Sequence, residues 1–417
     1  MFKRMQSTFF GFPRPFRTLV MATFIDRLGG SLIFPFLSLY VAGRFHVGMT
    51  EVGLLFGLWS ASSFVGSVIG GALSDKFGRK ALLLGGLVFS AGSALAMGFV
   101  TKMHTFYILA VVVGLFSDMG HPAQQAMVAD LLQGDQRAEG FSVLRVVANL
   151  AVAIGPAIGG LLASVSYLLL FILDAVTSLI TAGIVLAAIP ETKPEKTEGQ
   201  PSESILKTLS GYREVARDGL FLAFIAASLI MVVVYVQMYS TLSVYLNRYH
   251  DIPARGFGYM MSLNAGMVVL MQFWITRKIK GFPPMIMMVL ASALYGIGYT
   301  MFGLVGAFWL FMLAIAIITI GEMVHIPISQ ALVARFAPDH MRGRYMAAFG
   351  LTWAFPNSVA PLLAGLVMDN TNPDLVWYLA GILSLVAVAA FMALHIRAAD
   401  RLSGTDKQQV TALTQVP

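Results

Sequence analysis

The chain contains no cysteine. That excludes disulfide staples, thiolate nucleophiles and Cys-ligated metal centres. Charge is scarce as well. Only 12% of the 417 residues are Asp, Glu, Lys or Arg, about half of the roughly 25% carried by soluble globular proteins. There is no G-x-x-x-x-G-K-[ST] segment, so ATP hydrolysis on a P-loop is not expected. No H-E-x-x-H or comparable spacing occurs, so neither a metal site nor a cofactor is expected, and the chain does not read as an enzyme. What is abundant is apolar: 57% of residues are hydrophobic and the mean hydropathy is +0.77. The net charge of +7 is spread over short loops rather than gathered on one face, which argues against nucleic acid as a partner.

A transmembrane helix needs about 20 apolar residues. Twelve such runs are read, at 17–42, 50–74, 80–101, 104–131, 140–164, 167–189, 219–247, 256–276, 283–304, 307–335, 344–368 and 375–397. The expected fold class is therefore an all-α membrane protein. No small-residue cleavage site follows the first run, which is read as a retained helix rather than a signal peptide. Residues 190–218, rich in Glu, Lys, Pro, Ser and Thr, read as a cytoplasmic linker between a six-helix bundle at 1–189 and a second at 219–401; 402–417 reads as a polar cytoplasmic tail. With the N-terminus inside, only Arg44, Lys102, Arg248 and Arg255 of the 28 Lys and Arg fall in outside loops, Arg27 and Arg145 lie within spans, and the other 22 face the cytoplasm. That asymmetry predicts a multi-pass protein of the cell (inner) membrane with both termini cytoplasmic.

The halves echo one another. Gln125-Ala-Met-Val-Ala-Asp130 and then Arg137 near the end of span 4 match Gln330-Ala-Leu-Val-Ala-Arg335 and then Arg342 near the end of span 10, at an offset of 205 residues. The same offset places Pro156 on Pro361 and Gly160 on Gly365. Duplicated halves are the mark of rocker-type transporters, which bind substrate at the midplane between repeats.

The segment Gly71-Ala-Leu-Ser-Asp75-Lys-Phe-Gly78-Arg79-Lys-Ala-Leu-Leu83 interrupts two apolar runs with a short charged turn. An ordinary basic hairpin would share its charge but not its order, G-x-L-S-D-K-x-G-R-K-x-L-L. That order resembles the signature loop between helices 2 and 3 of the major facilitator superfamily, with every position filled. The resemblance implies major-facilitator-type architecture: 12 transmembrane helices in two pseudo-symmetric six-helix bundles. It also implies a conformational latch of Asp75, Arg79 and Asp130, with Gly71 and Gly78 shaping the turn. In span 5, Gly155-Pro156-Ala-Ile-Gly159-Gly160 resembles the antiporter helix motif of the superfamily's drug:proton antiporters, which implies export. The glycine expected upstream is replaced in a region that holds Asn149.

An ionisable side chain at membrane depth costs roughly 2.5–3.5 kcal/mol to insert, and its default reading is functional. Asp26, Asp118 with His121, and Glu322 with His325 are the candidates for proton coupling; residues three apart share a helix face, and imidazole titrates near neutrality. Asp174, in span 6, is expected to be structural. Thr319-Ile-Gly-Glu322-Met-Val-His325 resembles the span-10 segment of LmrP- and MdtH-like multidrug exporters, which implies a coupling role for Glu322. Arg27, Arg145, Tyr235, Gln237, Tyr239, Asn264, Trp353 and Asn357 are candidates for the substrate cavity, a Met- and aromatic-rich lining suiting lipophilic or cationic cargo. The function expected is proton-coupled export of lipophilic or cationic small molecules by alternating access. The partners are then substrate, protons and membrane lipid, and the chain acts as a monomer. The alternative keeps the fold but carries a lipid, sugar or other metabolite.

Overall fold

The computed structural model describes residues 10–117, 119–132, 136–192, 213–338 and 341–397. The linker residues 193–212, the tail from 398 onward and Asp118 therefore lie outside the described residues. No strand occurs among the described residues. The helices are α1 (Arg14–Ile33), α2 (Leu37–Phe45), α3 (Met49–Phe77), α4 (Arg79–Phe99), α5 (Met103–Ser117), α6 (Gly120–Leu131), α7 (Gln136–Ala163) and α8 (Tyr167–Ala188). They continue as α9 (Gly219–Ser240), α10 (Leu242–His250), α11 (Ala254–Ile279), α12 (Pro284–Phe302), α13 (Phe308–Phe336), α14 (Arg342–Asn370) and α15 (Leu375–Arg397).

Twelve stretches among the described residues are long and apolar enough to cross a membrane. Their edges differ from the hydropathy reading in one instructive place. Span 7 ends at Ser240 and a separate helix, α10, starts at Leu242, so the run expected to reach 247 is interrupted at Thr241. Span 1 has a comparable joint, a 3-10 turn at Phe34–Phe36 that carries Pro35. Proline lacks an N–H and clashes with the preceding turn, so α1 and α2 meet at an interruption of regular α geometry. Further prolines sit inside helices at Pro156, Pro327, Pro356 and Pro361. Membrane helices tolerate them because neighbouring helices re-satisfy the freed carbonyls.

Side chains such as Leu270, Trp309 and Ile396, 81%, 75% and 73% exposed, would be an aggregation hazard in water. Against acyl chains they are the expected outer surface, and the helices associate through close packing and polar contacts instead.

The chain divides into two compact units: Met1–Glu198 with Tyr239–Ala265, and Gly199–Met238 with Gly266–Pro417. In the first, α1 packs on α7 and α8, and α4 on α6 and α8. In the second, α12 packs on α13 and α15. Span 3 against spans 4 and 6 is thus repeated as span 9 against spans 10 and 12, and polar contacts repeat with it. The Ser31 hydroxyl of span 1 donates to the Ala151 carbonyl of span 5 at 3.0 Å. The Gln237 amide of span 7 donates to the Ala360 carbonyl of span 11 at 3.1 Å. The sequence repeat is a repeat of packing.

Within the first unit the span-5 glycines have a steric purpose. A Cβ on Gly160 would stand 2.9 Å from the Cα of Gly258 on α11, and a Cβ on Gly258 would stand 3.0 Å from the Cα of Gly160. Backbone touches backbone there, as small residues allow between membrane helices. Gly160→Val is expected to cost about 1–3 kcal/mol through overpacking, read as a lowered unfolding midpoint in detergent. Gly183→Ala, where no heavy atom comes within 4 Å of the new methyl, is expected to leave the midpoint unchanged.

Candidate functional site

The second unit buries its acid inside a group of aromatic rings. Glu322 lies midway along α13 and is 8% exposed. Its Oε1 accepts a hydrogen bond of 3.0 Å from the Tyr235 hydroxyl on α9. The Tyr235 ring meets Trp353 edge-on at 5.7 Å and stacks on Tyr295 at 6.2 Å. Tyr299 donates to the Tyr235 carbonyl at 3.2 Å, tying α12 to α9. His325, one turn along α13, is buried beside Tyr295 with ring centroids 5.9 Å apart. Its Nε2 has no hydrogen-bond partner among the described residues. One carboxylate and one imidazole thus share an aromatic environment of low polarity, where a charge on either is worth far more than in water.

The first unit has a separate acidic seam between α1 and α8. The Ser178 hydroxyl donates to Asp26 Oδ1 at 3.2 Å, and Thr181 donates to the Ala22 carbonyl at 3.2 Å. One turn from Asp26, a Cβ on Gly29 would meet Asp174 Oδ1 at 2.9 Å. The two helices run antiparallel with Asp26 and Asp174 on the same seam, close enough for the carboxylates to interact electrostatically. Span 6 was expected to leave Asp174 with a purely structural task; its position beside Asp26 makes it part of the same polar group.

The charged turn between α3 and α4 is organised by a residue that sequence reasoning missed. Gly78 has φ 102, a left-handed conformation that glycine adopts without strain. As N-cap of α4 it offers no side chain to cap the helix. Glu191 does so from beyond α8: its carboxylate accepts from the Arg79 backbone N–H at 2.9 Å and from the Lys80 N–H at 3.2 Å. Lys80 Nζ in turn donates to the Leu186 carbonyl at 2.8 Å. The Arg79 guanidinium, 8% exposed as a residue, forms an ion pair with Asp130 and donates to the Ala126 carbonyl at 3.2 Å. The available signal was an acid just after span 6, at the start of the linker that the charge asymmetry puts on the same side as the signature turn.

Comparison with known proteins decides the family. The model of the Major Facilitator Superfamily matches residues 19–361 and 286–415. The chain belongs to the Major Facilitator Superfamily. A Na(+), Li(+), K(+)/H(+) antiporter of Planococcus maritimus is 26% identical over 359 residues, 79% of this chain and 84% of that protein. The multidrug resistance protein MdtH of Salmonella paratyphi B is 23% identical over 368 residues, 87% of this chain and 90% of that protein. Among solved structures, the nucleoside transporter NupG has a TM-score of 0.78 at 14% identity, covering 90% of this chain and 98% of its own. A peptide transporter, POT, has a TM-score of 0.75 at 16% identity, covering 94% and 96%. At these identities the structures establish the fold alone. The chain is a multi-pass membrane transporter of the superfamily.

The remaining candidates of this superfamily member are dispersed. Asp118 and the side chain of Asp75 lie outside the described residues, as does any side-chain surrounding of Gly71. His121 and Arg27 are exposed and within electrostatic reach of one another. Arg145 is exposed on α7, and Gly155, Pro156, Gly159 and Gly160 are buried. Tyr239, half-buried, and Asn264, buried, are grouped with the first unit. Tyr235, Gln237, Trp353 and Asn357 are grouped with the second, where the Asn357 amide turns back on its own helix, donating to the Trp353 carbonyl at 2.8 Å. Of the eight cavity candidates, Tyr235 and Trp353 are the two in contact around Glu322. Glu191→Ala removes the cap of α4, and a loss of about 0.5–2 kcal/mol of stability is expected, measured as earlier unfolding in detergent.

Proposed function

We propose that this chain is a proton-coupled antiporter that exports lipophilic or cationic small molecules across the cell (inner) membrane, with both termini in the cytoplasm. The observation that carries the reading is the Glu322 carboxylate, buried on α13 and held by the Tyr235 hydroxyl among aromatic rings. A carboxylate at membrane depth is costly unless it has a task. A bare carboxylate attracts a cation; a protonated one does not. Proton and cationic cargo therefore compete for one group, which is the minimal chemistry of exchange. Tyr235 and Trp353 add ring faces that attract cations and apolar bodies alike. The names of the multidrug relative and the cation/proton antiporter are consistent with this.

In this reading the two six-helix halves, joined by residues 190–218, alternate access, and occupancy of Glu322 biases the equilibrium between the two states. The Arg79–Asp130 pair, with Asp75, acts as the conformational latch. Asp130 is 31% exposed in its side chain, so solvent screening leaves the pair a modest bias rather than a lock.

A second reading, exchange of a monovalent metal cation for protons, is favoured by the Asp26–Ser178 contact with Asp174 close by. In proteoliposomes with an imposed pH gradient, Glu322→Gln is expected to abolish uptake of a fluorescent lipophilic cation while the protein stays folded. Tyr235→Phe is expected to slow it. Undiminished gradient-driven transport by Glu322→Gln would falsify the assignment. Sodium- or potassium-evoked proton movement that survives Glu322→Gln but is lost in Asp26→Asn would favour the second reading.

A further inference from the structure

The first unit contains a cavity of about 640 Å3 at the end of the bundle where α2, α7 and α10 finish and α8 and α11 begin. Its size falls within the ~300–1,000 Å3 typical of small-molecule sites. Arg44, Arg248 and Arg255 line it together. They are three of the four Lys and Arg that the charge asymmetry assigns to this side of the membrane, the side where cations are depleted.

Two of the three have local reasons to be there. Arg44 and Arg248 occupy the last turns of α2 and α10, where the helix dipole favours a cation, and Arg248 donates to the Val47 carbonyl. Arg255 has none. It is the second residue of α11, at the positive end of that helix dipole, where a cation is disfavoured. It is exposed, and no carboxylate lies within ion-pair distance of it, or of Arg44 or Arg248, among the described residues. Neither Asp nor Glu lines the cavity. The rest of the lining is mostly apolar and aromatic: the Tyr40 and Tyr167 rings meet at 5.5 Å, and Asn247 supplies an amide. Three guanidinium groups and an apolar, aromatic lining in one cavity are complementary to a phosphate attached to a glycerol or other small apolar body. Guanidinium forks match phosphate oxygens in geometry.

We infer that this cavity binds a phosphate-type anion through Arg44, Arg248 and Arg255, either as the head group of an anionic phospholipid or as a soluble phosphate. The site is separate from Glu322 and does not depend on the direction or cargo of transport. The test uses the full chain purified in detergent. Native mass spectrometry compares retention of phosphatidylglycerol with phosphatidylcholine, and a parallel arm titrates inorganic phosphate against the unfolding midpoint of lipid-free protein. Arg255→Gln, whose side chain has no described contact to lose, is the informative variant; Lys102→Gln, the fourth cation on this side and outside the cavity, is the control. Loss of one charge-assisted contact is expected to weaken anion binding roughly ten-fold, with Lys102→Gln unchanged and Arg255→Lys partly restoring binding. Preference for phosphatidylglycerol that Arg255→Gln removes identifies a lipid site. A phosphate-dependent midpoint shift without lipid preference, also removed by Arg255→Gln, identifies a soluble anion. Equal behaviour of wild type and Arg255→Gln in both arms overturns the inference.

Discussion

A lipid core offers no hydrogen-bond partners, so every polar group at membrane depth must be satisfied within the protein. For the backbone this means helices, and the described residues contain no strand. For side chains it means that a buried acid is placed against a donor on another helix: Glu322 meets the Tyr235 hydroxyl and Asp26 the Ser178 hydroxyl, while at the boundary the exposed Glu191 meets backbone N–H groups at the start of α4. These contacts cross between helices, so they position the helices as well as satisfying charge. In lipid, where burial of apolar surface gives little drive for helices to associate, such contacts and the close approach at Gly160 and Gly258 carry much of the specificity.

The two halves of the chain share a packing scheme but differ in chemistry. Span 3 and span 9 pack on equivalent neighbours, and Ser31 and Gln237 make equivalent interhelical contacts. Among the described residues the buried acids sit in different surroundings. The first unit carries a pair of carboxylates on the α1/α8 seam; the second carries one carboxylate and one imidazole among aromatic rings. Duplication repeats the packing, while the polar residues set within it differ between the two units. Within the first unit the two charged regions also differ. The turn between α3 and α4 is rich in charge that is paired or capped, whereas the cavity at Arg44, Arg248 and Arg255 collects charge without a carboxylate among its lining residues.

Much of the architecture was legible in the chain alone. The twelve spans follow from composition and run length, which are local properties. The signature turn was legible because Gly78 needs a backbone conformation that other residues rarely adopt and because charge must leave the lipid on both sides of it. The joint at Thr241 was not legible, because the apolar run continues past it and neither proline nor glycine marks the break.

Partners were decided by tertiary structure. Tyr235 and Glu322 are 87 residues apart, Ser178 and Asp26 152, and Arg79 and Glu191 112. A helix that is apolar all round carries no periodic pattern to reveal which face turns inward, so the rotation that brings an acid to its donor cannot be read from one span. The sequence by itself determined the medium, the number of crossings and which charged residues had to be explained, because transfer into lipid acts on each segment separately. Which helices touch, that Asp174 joins Asp26, and that arginines of α2, α10 and α11 line one cavity were decided only when the segments packed, because those relations belong to pairs of helices and not to either member.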